Sequence, residues 1–117
     1  KKIFFVENDK DALMNLKRNI ISLKVEQQVN VISLNVINFF KNVKSYGKFD
    51  IIFLDPPYKN NDFLDLFHIL IKKKILSKKH LILAHREINS QNEAIKKFNI
   101  IENKIYGRSE IFFLKLF

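Results

Sequence analysis

Asp55-Pro56-Pro57-Tyr58 places a carboxylate, carbonyls on residues with no competing N–H, and an aromatic ring in one short run. Together these groups suit the handling of a planar base through its exocyclic amine. Such an amine is a poor nucleophile, because its lone pair is delocalised into the ring. A carboxylate and a backbone carbonyl that accept from its two N–H groups favour a pyramidal nitrogen, whose lone pair can then face an electrophile. A ring stacked on the base holds its plane, at roughly 1–3 kcal/mol per stack. The plain alternative is a Pro-Pro turn beside a strand. The apolar run before it, the aromatic after it and the β-α frame around it weigh against that. Two further positions carry polar groups to strand ends. Glu7 can accept from both hydroxyls of a ribose, or can be a solvated strand-end acid. The Asn35 amide can pair with an adenine edge, or can cap the helix that begins at Val36.

These residues need a frame, and the apolar spacing supplies one. Ile51 to Leu54, between Asp50 and Asp55, read as a short strand buried on both faces, as in a parallel sheet. Pro56 cannot extend a ladder, so the strand stops at Asp55, and Pro57 biases Pro56 to an extended conformation. The corner then lies at the carboxyl end of a strand, where open α/β sheets bind ligands. Before it, Ile3–Glu7 is a strand, and Asn8 or Asp9 caps a helix running to about Lys24. Ala12, Leu13, Leu16, Ile20 and Leu23 give that helix its apolar face. Val29–Leu34 is a second strand, and a helix runs from Val36 to about Ser45.

After the corner, Asn61 or Asp62 starts a helix with Phe63, Leu66, Phe67, Leu70 and Ile71 on its apolar face. Lys72-Lys73-Lys74 closes it at the negative end of the helix dipole. Leu81–Ala84 is a buried strand, and Ser90 caps a short helix through Lys97. Ile100–Tyr106 and Glu110–Phe117 form an antiparallel hairpin about Gly107-Arg108-Ser109. The alternation predicts an α/β fold: a mostly parallel sheet with helices on both faces and a final antiparallel hairpin.

At 117 residues the chain fits one domain, 1–117, and its 47% hydrophobic content predicts a folded one. It has no cysteine, which excludes disulfides and thiolate metal sites and fits a reducing cytoplasm. His68, His80 and His85 show no metal-ligand spacing, so no metal is expected. Apolar runs are too short to span a bilayer, and Lys1-Lys2 before Ile3–Val6 is not a signal peptide, since Glu7 ends the run. The net charge of +9 favours a polyanionic partner, although the excess of lysine over arginine, with abundant Ile, Asn and Phe, is also what an AT-rich genome produces. The chain begins with Lys1, not methionine, and directly with a strand, so it reads as a piece of a longer protein; separately, a monomer is expected.

At the residues that carry the chemistry, the chain resembles the Rossmann-like S-adenosylmethionine-dependent methyltransferases that modify exocyclic amines. It is most similar to the bacterial 16S rRNA guanine-N2 methyltransferases, over almost its whole length. Val6-Glu7-Asn8-Asp9 matches the acidic segment after that family's second strand, and Asn35 its adenine-contacting position. Phe53-Leu54-Asp55-Pro56-Pro57-Tyr58 matches the catalytic segment, Leu81–Glu87 the fifth strand, and Lys104-Ile105-Tyr106-Gly107 the terminal hairpin. The resemblance implies S-adenosylmethionine as cofactor, held by Glu7 on the ribose, Asn35 on the adenine, and Asp55. It implies Asp55, Pro56, Pro57 and Tyr58 as the catalytic set, with Asp55 and Pro56 on the target amine and Tyr58 on the base. The implied partner is 16S rRNA or the assembling small ribosomal subunit.

The chain departs from the family in two places. His85 stands where the resemblance implies an acid, with Glu87 two residues on. The family's first strand and glycine-rich loop have no counterpart, since the only glycines are Gly47 and Gly107.

A DNA adenine-N6 methyltransferase can use the same four residues. Many of those carry a large insert, however, and only α-β-α separates Glu7 from the Asp55 strand here, which favours RNA. A non-catalytic interaction module is the reading from another class. The resemblance places the absent strand between Ile3–Glu7 and Phe49–Asp55. The 117 residues alone are therefore expected to be unstable or to aggregate, and to bind S-adenosylmethionine undetectably. Calorimetric titration beside a thermal melt checks this, and cooperative unfolding with micromolar binding would refute it.

Overall fold

Asp9 sets the start of the first helix. The computed structural model describes residues 1–56, 62–90 and 93–117, and they form two compact units, Lys1–Val43 and Lys44–Phe117. In the first unit β1 (Ile3–Val6) and β2 (Val29–Ile32) run parallel, with Ile3 opposite Val29 and Val6 opposite Ile32. Parallel neighbours need a crossover, and α1 (Lys10–Ser22) supplies it. Asp9 keeps an extended backbone while its carboxylate accepts from the Ala12 N–H at 2.8 Å, which satisfies one of the free donors of the first turn.

The far end of α1 closes in a Schellman arrangement. Lys24 N–H donates to the Ile21 carbonyl at 3.0 Å and Val25 N–H to the Ile20 carbonyl at 3.2 Å. Lys24 accordingly takes φ +55°, in the left-handed region. The helix therefore stops at Ser22, short of Lys24. Leu23, expected on the apolar face, is turned out to solvent, while Leu13 and Ile20 are buried. The second helix, α2 (Val36–Lys41), is shorter than expected, and the chain tightens into a 3-10 turn over Val43–Tyr46.

The second unit holds a mixed sheet in the order β3-β4-β6-β5, from β3 (Phe49–Leu54), β4 (Leu76–Glu87), β5 (Asn99–Tyr106) and β6 (Ser109–Lys115). β3 and β4 are parallel, joined through α3 (Asp62–Lys73), and the β4–β6 and β6–β5 pairs are antiparallel. The expected hairpin is present, with Tyr106 opposite Ser109 and Gly107 at φ +59° in the two-residue turn. Glycine takes that conformation at little cost. The helix expected over Ser90–Lys97 is not seen as an α-helix among the described residues. Gln91 and Asn92 lie outside the described residues, and the chain beyond them makes a single 3-10 turn, Ile95–Lys97, before β5.

One face of this sheet is covered. Ile52, Ile82 and Leu114 form one cross-strand row, and Leu54, Ala84 and Phe112 the next. Leu54 and the four residues of β4 and β6 in these rows are buried, as are Phe63, Leu66, Phe67 and Leu70 of α3. Phe67 sits edge-on between Phe63, at 4.7 Å, and Phe98, at 4.6 Å between centroids. The expectation that β3 is buried on both faces is not met. Ile51 and Phe53 are 64% and 58% exposed, because α3 covers only the face to which Ile52 and Leu54 point.

Strand alternation also carries Arg86 inward, in line with Ile82 and Ala84, to 7% exposure. Its guanidinium lies 4.1 Å from the Phe63 ring centroid, and Nε and Nη1 have no hydrogen-bond partner among the described residues. Burial lowers its pKa from the ordinary value, which shows that the charged form is poorly solvated there. The cation–π contact offsets part of that cost. Arg86→Met is expected to raise stability by about 1–2 kcal/mol. A urea midpoint that falls instead would show that the charge is held by a partner.

Candidate active site

Asp55 leaves the sheet at the carboxyl end of β3, one residue after the last laddered residue, Leu54. Pro56 comes next, half-buried, and removes the N–H that a longer strand would need. Pro57 and Tyr58, the other two members of the expected catalytic set, lie outside the described residues. Leu54 is opposite Ala84 in the parallel β3–β4 ladder, so Asp55 and His85 come next on their strands, side by side. His85 Nδ1 stands 2.7 Å from Asp55 Oδ1. With its proton on Nδ1, the imidazole donates to the carboxylate and fixes its plane. The Asp55 side chain is 55% exposed and that of His85 21%, and the second carboxylate oxygen, Oδ2, has no hydrogen-bond partner among the described residues.

The sequence marked His85 as standing in place of an acid but assigned it no task. The signal was present all the same: two consecutive strands of a β-α-β unit, each ending at its carboxyl end in a polar residue, bring those residues together whenever the strands pair in parallel. Glu87, the acid two positions on, does not face Asp55. Its carboxylate accepts from the Arg108 guanidinium in the β5–β6 turn, and the Ile88 N–H donates to the Arg108 carbonyl at 2.8 Å.

Glu7 and Asn35 stand in the first unit, at the carboxyl ends of neighbouring parallel strands. Glu7 N–H donates to the Ile32 carbonyl at 3.1 Å. Its Oε1 accepts from the Asn8 and Asp9 N–H groups, both at 2.9 Å, which anchors the side chain and leaves Oε2 without a hydrogen-bond partner among the described residues. Asn35 caps α2: its Oδ1 accepts from the Ile37 N–H at 2.8 Å. The cap reading is thus realised, and it uses only the oxygen, so the amide N–H donors stay available. Each side chain spends one oxygen on the local backbone and has a further polar atom with no hydrogen-bond partner among the described residues. Among the described residues no three His, Cys, Asp or Glu side chains group as a metal site.

The element order and strand pairing are those of a Rossmann-like, class I methyltransferase fold. A presumed methylase from Haemophilus influenzae has this fold, with a TM-score of 0.81 and 26% identity over 100% of this chain and 74% of that one. The chain belongs to the family described as conserved hypothetical protein 95, whose profile matches residues 1–115. Two relatives are each named ribosomal RNA small subunit methyltransferase D. The one from Haemophilus influenzae is 29% identical over 92% of this chain and 56% of its own length. The one from Buchnera aphidicola subsp. Baizongia pistaciae is 37% identical over 77% of this chain and 44% of its own length. The chain thus spans about half the length of the curated relatives it matches.

A carboxylate as exposed as Asp55 gains little stability from its neighbour. A double-mutant cycle with Asp55→Asn and His85→Ala is expected to give a coupling energy below about 1 kcal/mol. Coupling of several kcal/mol, read from urea denaturation, would show that the contact holds the fold rather than aims the carboxylate.

Proposed function

We propose that this chain is the catalytic part of an S-adenosylmethionine-dependent methyltransferase acting on the exocyclic amine of a guanine in small-subunit rRNA. The observation that carries the reading is Asp55 at the end of β3, aimed by His85 and followed by Pro56. The names of the two relatives supply the substrate class. Residues 1–117 act in this reading as one methyltransferase domain, working on RNA in the cytoplasm.

S-adenosylmethionine supplies an electrophilic methyl group on a sulfonium. The donor set of the first unit fits the cofactor's nucleoside. Oε2 of Glu7 accepts from ribose hydroxyls, and the Asn35 amide donates to the adenine edge. In the second unit, Asp55 Oδ2 and the Pro56 carbonyl accept from the two N–H groups of the guanine amine. This draws its lone pair out of conjugation with the ring and points it away from both acceptors. The His85 contact keeps the Asp55 carboxylate from rotating as the amine binds, so orientation is set before the base arrives. Tyr58 stacks on the base. Once methylated, the amine carries an excess proton, and Asp55 is the group placed to take it.

In the intact protein, Asp55→Ala is expected to nearly abolish methylation of small-subunit RNA while leaving S-adenosylmethionine affinity within a few-fold. Parallel loss of both would show that Asp55 holds the cofactor or the fold, and would defeat its assignment to the amine. Tyr58→Ala should cost about 1–3 kcal/mol in kcat/KM, and Tyr58→Phe should be nearly silent. An intact protein with no transfer to small-subunit RNA but transfer to duplex DNA would establish the adenine-N6 alternative.

A further inference from the structure

At the end of the second unit opposite Asp55, the surface opens into a cleft of about 500 Å³. Its lining is Lys44, Gly47, Lys48, Lys72, Lys73, Lys74 and Ile75, with no carboxylate among them. Two separate segments make it: the stretch before β3 and the end of α3 before β4. They are tied together by the Phe49 N–H, which donates to the Ile75 carbonyl at 2.8 Å, and by the pairing of Phe49 with Leu76. None of the five lysines has a salt-bridge partner among the described residues.

The negative end of the α3 dipole accounts for cations at Lys72 to Lys74. It does not account for Lys44 and Lys48, which line the same cleft from another segment. Like charges in a concave site repel one another and focus a positive potential into the cleft, which favours anions that neutralise several of them at once. Lysine ammonium groups bind phosphate as point charges, without the forked geometry that reads a base.

We infer that this cleft is a docking site for the phosphodiester backbone of the RNA substrate, away from the reacting base. The inference rests on the RNA reading given above. β3 separates the two ends: six residues at about 3.3 Å each put the cleft roughly 20 Å from the Asp55 corner. Several nucleotides must span that distance. The cleft therefore recognises a stretch of RNA rather than a single nucleoside, and contributes to binding rather than to the chemical step.

The test compares the intact protein with a Lys48→Gln, Lys72→Gln, Lys74→Gln variant. A second variant, Lys10→Gln, Lys17→Gln, Arg18→Gln, changes the net charge equally but on α1. Binding of single-stranded RNA from small-subunit rRNA is titrated between about 50 and 200 mM salt. The cleft variant should lose roughly tenfold in affinity, and its slope of log K against log salt should shrink by about 2, at about 0.7 per phosphate. The α1 variant should lose much less, and both should keep the parent's melting temperature. In turnover assays the cleft variant should raise KM for RNA and keep kcat.

Equal losses in the two variants, or an unchanged slope in the cleft variant, would overturn the inference. So would displacement of RNA by inorganic phosphate at constant ionic strength, which would make the cleft a small-anion site. If the intact protein bound RNA through the cleft and methylated nothing, the inference would stand and the enzymatic reading alone would fail.

Discussion

The arrangement of the second unit depends on one constraint: α3 and the sheet bury their apolar residues on a single shared side. Phe67, Leu70, Ile82 and Leu114 are all but inaccessible to solvent, and each such side chain contributes about 1.5–3 kcal/mol. That packing holds α3 as the crossover between β3 and β4, and the crossover makes the two strands parallel. The parallel register then sets Asp55 beside His85. An exposed ion pair contributes about 0–1 kcal/mol, so the packing positions the pair and the pair does not hold the packing.

The polar residues of the candidate site work under a second constraint, that free backbone N–H groups near helix starts need acceptors. Glu7 and Asn35 each answer it with one oxygen. A side chain fixed in this way loses little freedom when a ligand arrives, which lowers the ordering cost of binding. The usual opposition between a structural cap and a ligand contact does not apply to Asn35, because its amide has an oxygen for one and N–H donors for the other.

The Asp55 corner and the lysine-lined cleft lie at opposite ends of β3. Its carboxyl end bears Asp55, and the turn before its amino end bears Lys48, with Lys44 one turn earlier. The strand separates them by about 20 Å, so the cleft lysines do not reach the Asp55 carboxylate.

Much of this was legible in the sequence because local rules decide it. Pro56 stops a strand wherever it stands, Asp9 and Asn35 cap helices by forming bonds within three residues, and Gly107 suits a tight turn. The apolar spacing of Phe63 to Leu70 identified the buried face of α3. What the sequence left open depends on contacts between distant segments. His85 acquires a partner thirty residues away only through the β3–β4 register. Ile51 and Phe53 are as apolar as Ile52 and Leu54, yet they face outward, because burial is set by which side α3 covers and not by hydrophobicity. Lys72 to Lys74 read as an ordinary helix end. Only the backbone tie between Phe49 and Ile75 brings Lys44 and Lys48 to the same cleft and makes five separate charges one surface.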